Sequence, residues 1–428
     1  MITNPTDTHQ PSLWQRIRQL PRNIWILTWA SFLTDISTDM IVHLIPFFLA
    51  NVLGVRTVTI GLIEGVAETT ASLLKIVSGR ISDQLGQRKW LTVAGYGLST
   101  AAKPFLILAN SWQTVLGVKF FERMGKGIRT APRDALVADS IEPQHRGLAF
   151  GLHRAGDTAG AAVGLLIALL VVWFMQGRQL TLELPTFHTL VWLSVIPAVL
   201  AVVLLAVGIE EKQRTGEDKR PFITPQPFPT EFKRFLIIVV VFTLGNSSDA
   251  FLVLRAQERG FSILGVMALL LGFNLLYATI SSPAGSLSDK LGRRTLIMGG
   301  WLLYALVYAG FAFAQTGWHI VVLYGLYGLY YGLANGTAKA YVADLVAPTM
   351  RGTAYGWFNA AQGLAALPAS VLAGLLWQGV GDWAGFGVQA PFLVGAVLAI
   401  TAVILLLLWL PKHTNSISIA ALKIKNTD

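Results

Sequence analysis

The chain is 428 residues long, 54% apolar and only 13% charged, and it carries no cysteine. So apolar a composition excludes an ordinary water-soluble domain, and the missing thiols exclude disulfides and thiolate metal sites. The net charge of +10 is not a nucleic-acid footprint, because the bases fall in alternate loops between long apolar runs.

A bilayer core of about 30 Å is crossed by about 20 apolar residues in a helix. Twelve such helices are predicted, helices 1 to 12 in order: 24–53, 59–78, 90–110, 112–138, 147–175, 188–208, 235–257, 262–284, 295–314, 317–343, 351–377 and 390–410. They are rich in Leu, Ala and Gly, whereas a membrane β-barrel shows alternating strands of about ten residues. The predicted fold class is all-α membrane protein.

Residues 1–23 are polar and proline-punctuated, without the short apolar region of a cleaved signal peptide. Arg16, Arg18 and Arg22 stand before helix 1, which carries Asp35, Asp39 and His43 at i, i+4 and i+8. Helix 2 places Glu64, Glu68 and Lys75 on one face, and Arg88 and Lys89 follow it. Helix 4 carries Glu122, Lys126, Arg129 and Arg133 at i, i+4, i+7 and i+11; helix 5, after Arg146, adds His153, Arg154 and Asp157. The stretch 210–234, with Pro221, Pro225, Pro227 and Pro229 among basic residues, reads as an extended linker. Helix 7 offers Asn246 and Asp249, and Lys290, Arg293 and Arg294 follow helix 8. Helix 10 brings Tyr324, Tyr327 and Tyr331 at i, i+3 and i+7, a spacing suited either to stacking on a flat or cationic ligand or to ordinary helix packing. The loops at 110–112, 315–319 and 378–389 contain no Lys or Arg. By the positive-inside rule both termini and the linker are cytoplasmic, against the few exceptions Arg56, Arg178, Arg255 and Arg259.

The chain also contains itself twice. GRISDQLGQRK at 79–89 returns as GSLSDKLGRRT at 285–295, which relates Asp83 to Asp289 by an offset of 206 (289 − 83). ALVADSIEPQHRGLAFG at 135–151 returns as AYVADLVAPTMRGTAYG at 340–356, an offset of 205 (340 − 135). The duplication divides the chain into a cytoplasmic N-terminal segment 1–23, a six-helix bundle 24–208, a cytoplasmic linker 209–234, a second six-helix bundle 235–410 and a cytoplasmic tail 411–428. Two tandem membrane halves are the build of a secondary transporter, with its substrate site where the halves face each other. In the repeated loop, Gly79 and Gly86 let backbones approach, while Asp83 with Arg88, and Asp289 with Arg293 and Arg294, supply a conformational latch. The competing reading is that these bases only anchor the topology.

The loop pair resembles the motif that the major facilitator superfamily carries between helices 2 and 3, with a weaker copy between helices 8 and 9. The resemblance covers essentially the whole chain. It implies twelve transmembrane helices in two pseudo-symmetric bundles that rock about a central cavity lined by helices 1, 4, 7 and 10. Arg123 with Gly127 resembles the helix-4 arginine motif of the family's drug:proton antiporters. Gly156, Gly160 and Gly164 resemble the helix-5 small-residue ladder of the same antiporters, although Ala161 stands where that ladder has a proline.

Asp, Lys or Arg at the centre of a membrane helix costs about 2.5–3.5 kcal/mol on insertion scales, so each points to a function or a compensating partner. One reading pairs the charges between helices 1, 2, 4 and 5. The other makes Asp35, Asp39 and Glu68 proton carriers, with His43 as a relay. At the offset of 205 the helix-4 stripe maps onto Tyr327, Tyr331, Ala334 and Ala338, so a charged wall faces an aromatic one. Lys126, Arg129, Asn246, Asp249, Tyr327 and Tyr331 are the candidate substrate contacts. The predicted activity is proton-coupled export of a small amphipathic organic molecule by alternating access. The alternatives are import of an organic anion with protons, bound by Lys126 and Arg129, and a non-transporting membrane sensor. No enzyme, metal or cofactor is expected, since only Asp35, Asp39 and His43 have ligand-like spacing and no nucleotide-binding loop occurs. The expected partners are the substrate, protons and the bilayer, with no nucleic acid. The expected state is a monomer in the inner membrane.

Overall fold

The computed structural model describes residues 17–85, 88–142, 146–210, 227–347 and 350–410. Among them the helices are α1 (Arg22–Asp39), α2 (Thr57–Leu85), α3 (Lys89–Leu108), α4 (Trp112–Asp139), α5 (Arg146–Met175) and α6 (Leu184–Gly208). The second half repeats the pattern with α7 (Thr230–Glu258), α8 (Ile263–Leu291), α9 (Arg293–Phe313), α10 (Gly317–Leu345), α11 (Arg351–Gln378) and α12 (Gln389–Trp409). No strand occurs among the described residues. Outward-facing apolar side chains such as Phe174, Val207 and Leu408 stay open to the surroundings, as hydrocarbon rather than water requires.

Three of the predicted helices are interrupted, each for a local reason. The first regular helix stops at Asp39, and the chain resumes only as the short Ile45–Phe47 turn and a wider turn over Phe48–Val52. Pro46 lacks the N–H that would continue the ladder and its ring crowds the preceding turn. Pro104 acts similarly in α3, which tightens to a 3-10 helix over Lys103–Leu108. Helix α7 is broken between Gly245 and Ala250. There Asn, Ser, Ser and Asp side chains compete for the backbone, and the Ser248 hydroxyl accepts from the Ala250 N–H at 3.3 Å.

Eight of the twelve helices are long and apolar enough to cross a membrane by themselves. The four that fall short are α1, α2, α4 and α10, where charged residues or tyrosines and glycines dilute the apolar run. These four all face the central cavity. Polarity is tolerated there because it is sheltered from lipid.

Within the first bundle α1 and α5 touch backbone to backbone. A Cβ on Gly156 would come 2.7 Å from Thr28 Cγ2, and one on Gly164 would come 2.5 Å from the Ile36 carbonyl oxygen. Gly160 sits equally tightly on Phe32. The glycine ladder is therefore a packing surface. Between the bundles α2 and α11 cross in the same manner, with Gly65 against Leu367, Gly363 against Ser72 and Gly374 against Val58. Thr69 Oγ1 donates to the Gly363 carbonyl at 2.5 Å and Thr57 Oγ1 to that of Gly374 at 3.2 Å.

The molecule has a basic-loop end, bearing the α2–α3 and α8–α9 connections, and an opposite end. Cross-bundle hydrogen bonds gather at the opposite end. Thr57 N donates to Gln378 Oε1 (2.9 Å), Arg56 Nη1 to the Gly381 carbonyl (3.0 Å) and Gln257 Nε2 to the Leu180 carbonyl (2.7 Å).

Candidate functional site

A cavity of about 570 Å³ lies between the two bundles. Its first wall is charged. Helix α1 contributes Asp35, Thr38 and Asp39, with His43 just beyond its end; α2 contributes Glu64, Glu68 and Lys75; α4 contributes Arg123 and Lys126. Some of these charges are paired within the wall. Asp39 Oδ1 lies 3.4 Å from His43 Nε2, Glu68 Oε2 lies 3.7 Å from Arg123 Nη1, and Glu64 is in direct contact with the buried Lys119 ammonium. Lys103 reaches forward from α3 to the hydroxyls of Ser37 and Thr38, the latter at 3.2 Å. Asp35, Lys75 and Lys126 face the same space, and among the described residues none of their charged groups has a hydrogen-bond or ion-pair partner.

The facing wall carries a single carboxylate, Asp249, and no basic side chain among its described residues. It is built from the α7 break at Asn246, Ser247, Ser248 and Asp249, from Trp301 of α9, from Tyr330, Tyr331 and Asn335 of α10, and from Asn359 and Gln362 of α11. Asp249 is not bare: its Oδ1 accepts from the Tyr327 hydroxyl at 2.8 Å. Tyr304 likewise donates to the Gly245 carbonyl at 2.9 Å, satisfying one acceptor that the helix break frees.

The sequence-derived site residues divide between surface and support. Asp35, Asp39, Glu68, Lys126, Asn246, Asp249 and Tyr331 all line the cavity. Tyr327 stands one layer behind, 2% exposed, with its hydroxyl on Asp249. Arg129 turns away altogether. It is buried over the Tyr96 ring, 4.2 Å from its centroid, and Nη1 donates to Ser99 Oγ at 3.2 Å. The cavity-facing residues of α4 are Arg123 and Lys126. Glu122 and Arg129, displaced by helical rotation of about 100° per residue, fall toward α3, where Gly95 leaves room for the arginine. The expected Lys126–Arg129 binding pair is therefore not formed; Lys126 shares the cavity with Arg123 and Lys75 instead. Among the described residues no three His, Asp or Glu side chains converge as a metal centre.

At the basic-loop end, the side chains of Asp83 and Asp289, and Gly86 entirely, lie outside the described residues. Gly79 meets α4 at Ala131, where an added Cβ would stand at 3.4 Å. Arg88 Nη1 donates to Asp139 Oδ2 at 2.5 Å, and Arg293 Nη1 lies 3.1 Å from Asp344 Oδ1. Both members of the second pair sit 205 residues after the first (293 − 88; 344 − 139). Alignment of the loop motifs alone matches Arg88 to Arg294 at 206, but Arg294 instead donates to the Leu406 and Leu407 carbonyls of α12. The aspartate partners come from the second repeated motif, whose shared Val-Ala-Asp was the available signal. Asn335, Asn359 and Gln362 carry no charge, and the sequence signals them only by the i, i+3 spacing of the last two.

Residues 27–262 and 235–424 each match the family model described as Major Facilitator Superfamily. The chain belongs to that superfamily. An MFS-type transporter of Methanocaldococcus jannaschii is 37% identical over 397 residues, covering 91% of this chain and 95% of the relative. A multi-drug resistance efflux pump of Streptococcus pneumoniae is 23% identical over 329 residues, covering 73% and 78%. Among solved structures, a nucleoside transporter superposes with a TM-score of 0.71 at 13% identity, over 90% of this chain and 99% of that one. The cavity of this MFS transporter thus lies at the interface of its duplicated halves, where such a fold binds its cargo.

Proposed function

We propose that this transporter is a proton-coupled exporter of a small amphipathic organic molecule, working by alternating access in the inner membrane as a monomer with cytoplasmic termini. The supporting observation is Asp35: a carboxylate on a cavity-lining helix, facing the cavity with no partner among the described residues. A group so placed can hold or lose a proton without breaking an existing pair, and its charge then acts on Lys126 across the same space. Asp39 with His43, and Glu68 with Arg123, are adjacent exchange points. The substrate's apolar body meets Tyr331 and Trp301, while Asn335, Asn359 and Gln362 offer neutral hydrogen bonds to its polar end. Export agrees with the name of the streptococcal relative.

In this reading the halves 24–208 and 235–410 rock about the cavity, joined by 209–234. The twin pairs Arg88–Asp139 and Arg293–Asp344 hold the repeated loops against their own bundles as latches. Inside-out vesicles carrying a pre-formed proton gradient test the scheme. Candidate compounds should trigger proton release with the native chain and not with Asp35→Asn. Release that survives Asp35→Asn excludes this carboxylate as the carrier.

The second reading, import of an organic anion with protons, is favoured by the unpartnered ammonium groups of Lys75 and Lys126. It requires that Lys126→Gln abolish uptake of an anionic compound in right-side-out vesicles while leaving release of neutral compounds intact.

A further inference from the structure

Two titratable groups of α5, the buried His153 and the partly buried Asp157, do not line the cavity. His153 is 3% exposed, yet neither ring nitrogen has a hydrogen-bond partner, and Asp157 Oδ1 has none either. Buried polar atoms are almost always satisfied, so three orphans on two neighbouring side chains call for a specific cause. The two groups aim at each other: Nε2 to Oδ1 is 3.8 Å, beyond a hydrogen bond but within one small side-chain shift of it. A single mobile proton would close that gap from either side.

Their surroundings tie this pair to the cavity on one side and to the second bundle on the other. Asp157 lies within electrostatic reach of Asp35 on α1. Its flanking Gly156 and Gly160 are seated on Thr28 and Phe32, which fixes α5 against the helix that carries Asp35. From α4, Arg133 and Asp134 lie within electrostatic reach of the imidazole. On α5 itself Arg154 Nη1 lies 3.9 Å from Asp157 Oδ2, while its Nη2 donates at 3.4 Å to the Tyr277 hydroxyl of α8, across the bundle interface.

We infer that Asp157 and His153 together form a second proton-binding site, on α5 beside the interface between the bundles. The inference rests on the proton-coupled reading above. Only a proton transfer is involved: the Asp157 carboxyl gives its proton to His153 Nε2 across the 3.8 Å gap and is left as the carboxylate. While Asp157 is charged it holds Arg154; when it is neutral Arg154 is free to follow Tyr277. Occupancy of the site is thereby tied to the contact between bundles.

Infrared pH-difference spectra of the full-length protein in lipid bilayers test this without a substrate. The native chain should show titrating carboxyl carbonyl bands from both Asp35 and Asp157. Asp35→Asn should remove one, Asp157→Asn a different one of comparable area, and His153→Gln should keep the Asp157 band but move its midpoint pH. An Asp157→Asn spectrum identical to the native one overturns the inference, as does an unmoved midpoint in His153→Gln. Should Asp157→Asn not fold, Asp157→Glu must retain a titrating band that His153→Gln displaces, and absence of that band is equally fatal. Loss of the Asp157 band together with an unchanged Asp35→Asn spectrum would remove Asp35 as the carrier and leave the second site standing.

Discussion

The α2–α11 crossing gives a quantitative handle on the conformational equilibrium. A methyl group at Gly65 would lie 2.7 Å from Leu367 Cα and 2.8 Å from its Cδ1. Backbone cannot yield as a flexible side-chain tip would, so Gly65→Ala pushes the bundles apart at the opposite end. Overpacking of this kind costs about 1–3 kcal/mol. With about 1.4 kcal/mol per tenfold change, the population of this conformation should fall about 5- to 150-fold relative to its alternative. Gly97→Ala, where nothing stands within 4 Å of the new methyl, is the control. The chain has no cysteine, so spin labels at Leu180→Cys and Phe386→Cys report the inter-bundle distance uniquely. Gly65→Ala should lengthen the main distance, and Gly97→Ala should leave it alone. An unchanged distribution for Gly65→Ala would show that the crossing does not separate on the transport cycle.

The pairing of Glu64 in the charged wall with Lys119 buried behind it makes a second prediction. Lys119→Met leaves Glu64 unpaired and should lower stability by about 3–5 kcal/mol, whereas Lys119→Met with Glu64→Gln should recover most of it. Thermal unfolding in detergent measures both, and equal losses for single and double variants would mean that the pair is not coupled. Arg129→Gln should lower the melting temperature by removing the stack on Tyr96, worth about 0.5–2 kcal/mol, while leaving compound-triggered proton release intact. Loss of release at native stability would put Arg129 back at the substrate.

Helix positions were legible because the bilayer fixes the length of an apolar run, and the breaks were not because a run does not show where its ladder is cut. Pro46 lies inside an otherwise unbroken apolar segment, and the Asn246–Asp249 stretch reads equally well as a polar spot on a continuous helix. The charged wall was legible for a related reason: charge in hydrocarbon is costly enough that each instance is conspicuous. What failed was rotation. Four residues spaced as a stripe on α4 span enough arc for Arg129 to fall on the neighbouring face, and only the packing against Gly95 decides it. The facing wall was half seen, since Tyr331 and Asp249 stood out by type whereas Asn335, Asn359 and Gln362 did not.

The ion pair of Glu64 with Lys119 also constrains how the protein is made. Its members are 55 residues apart in the chain, and α2 leaves the ribosome before α4 exists. At about 5–20 residues per second, that gap lasts about 3–11 s. Throughout it α2 carries Glu64 and Glu68 without the helix whose Lys119 and Arg123 pair with them. An α2 that entered the hydrocarbon ahead of α4 would carry those carboxylates unpaired, at the cost that charge meets there.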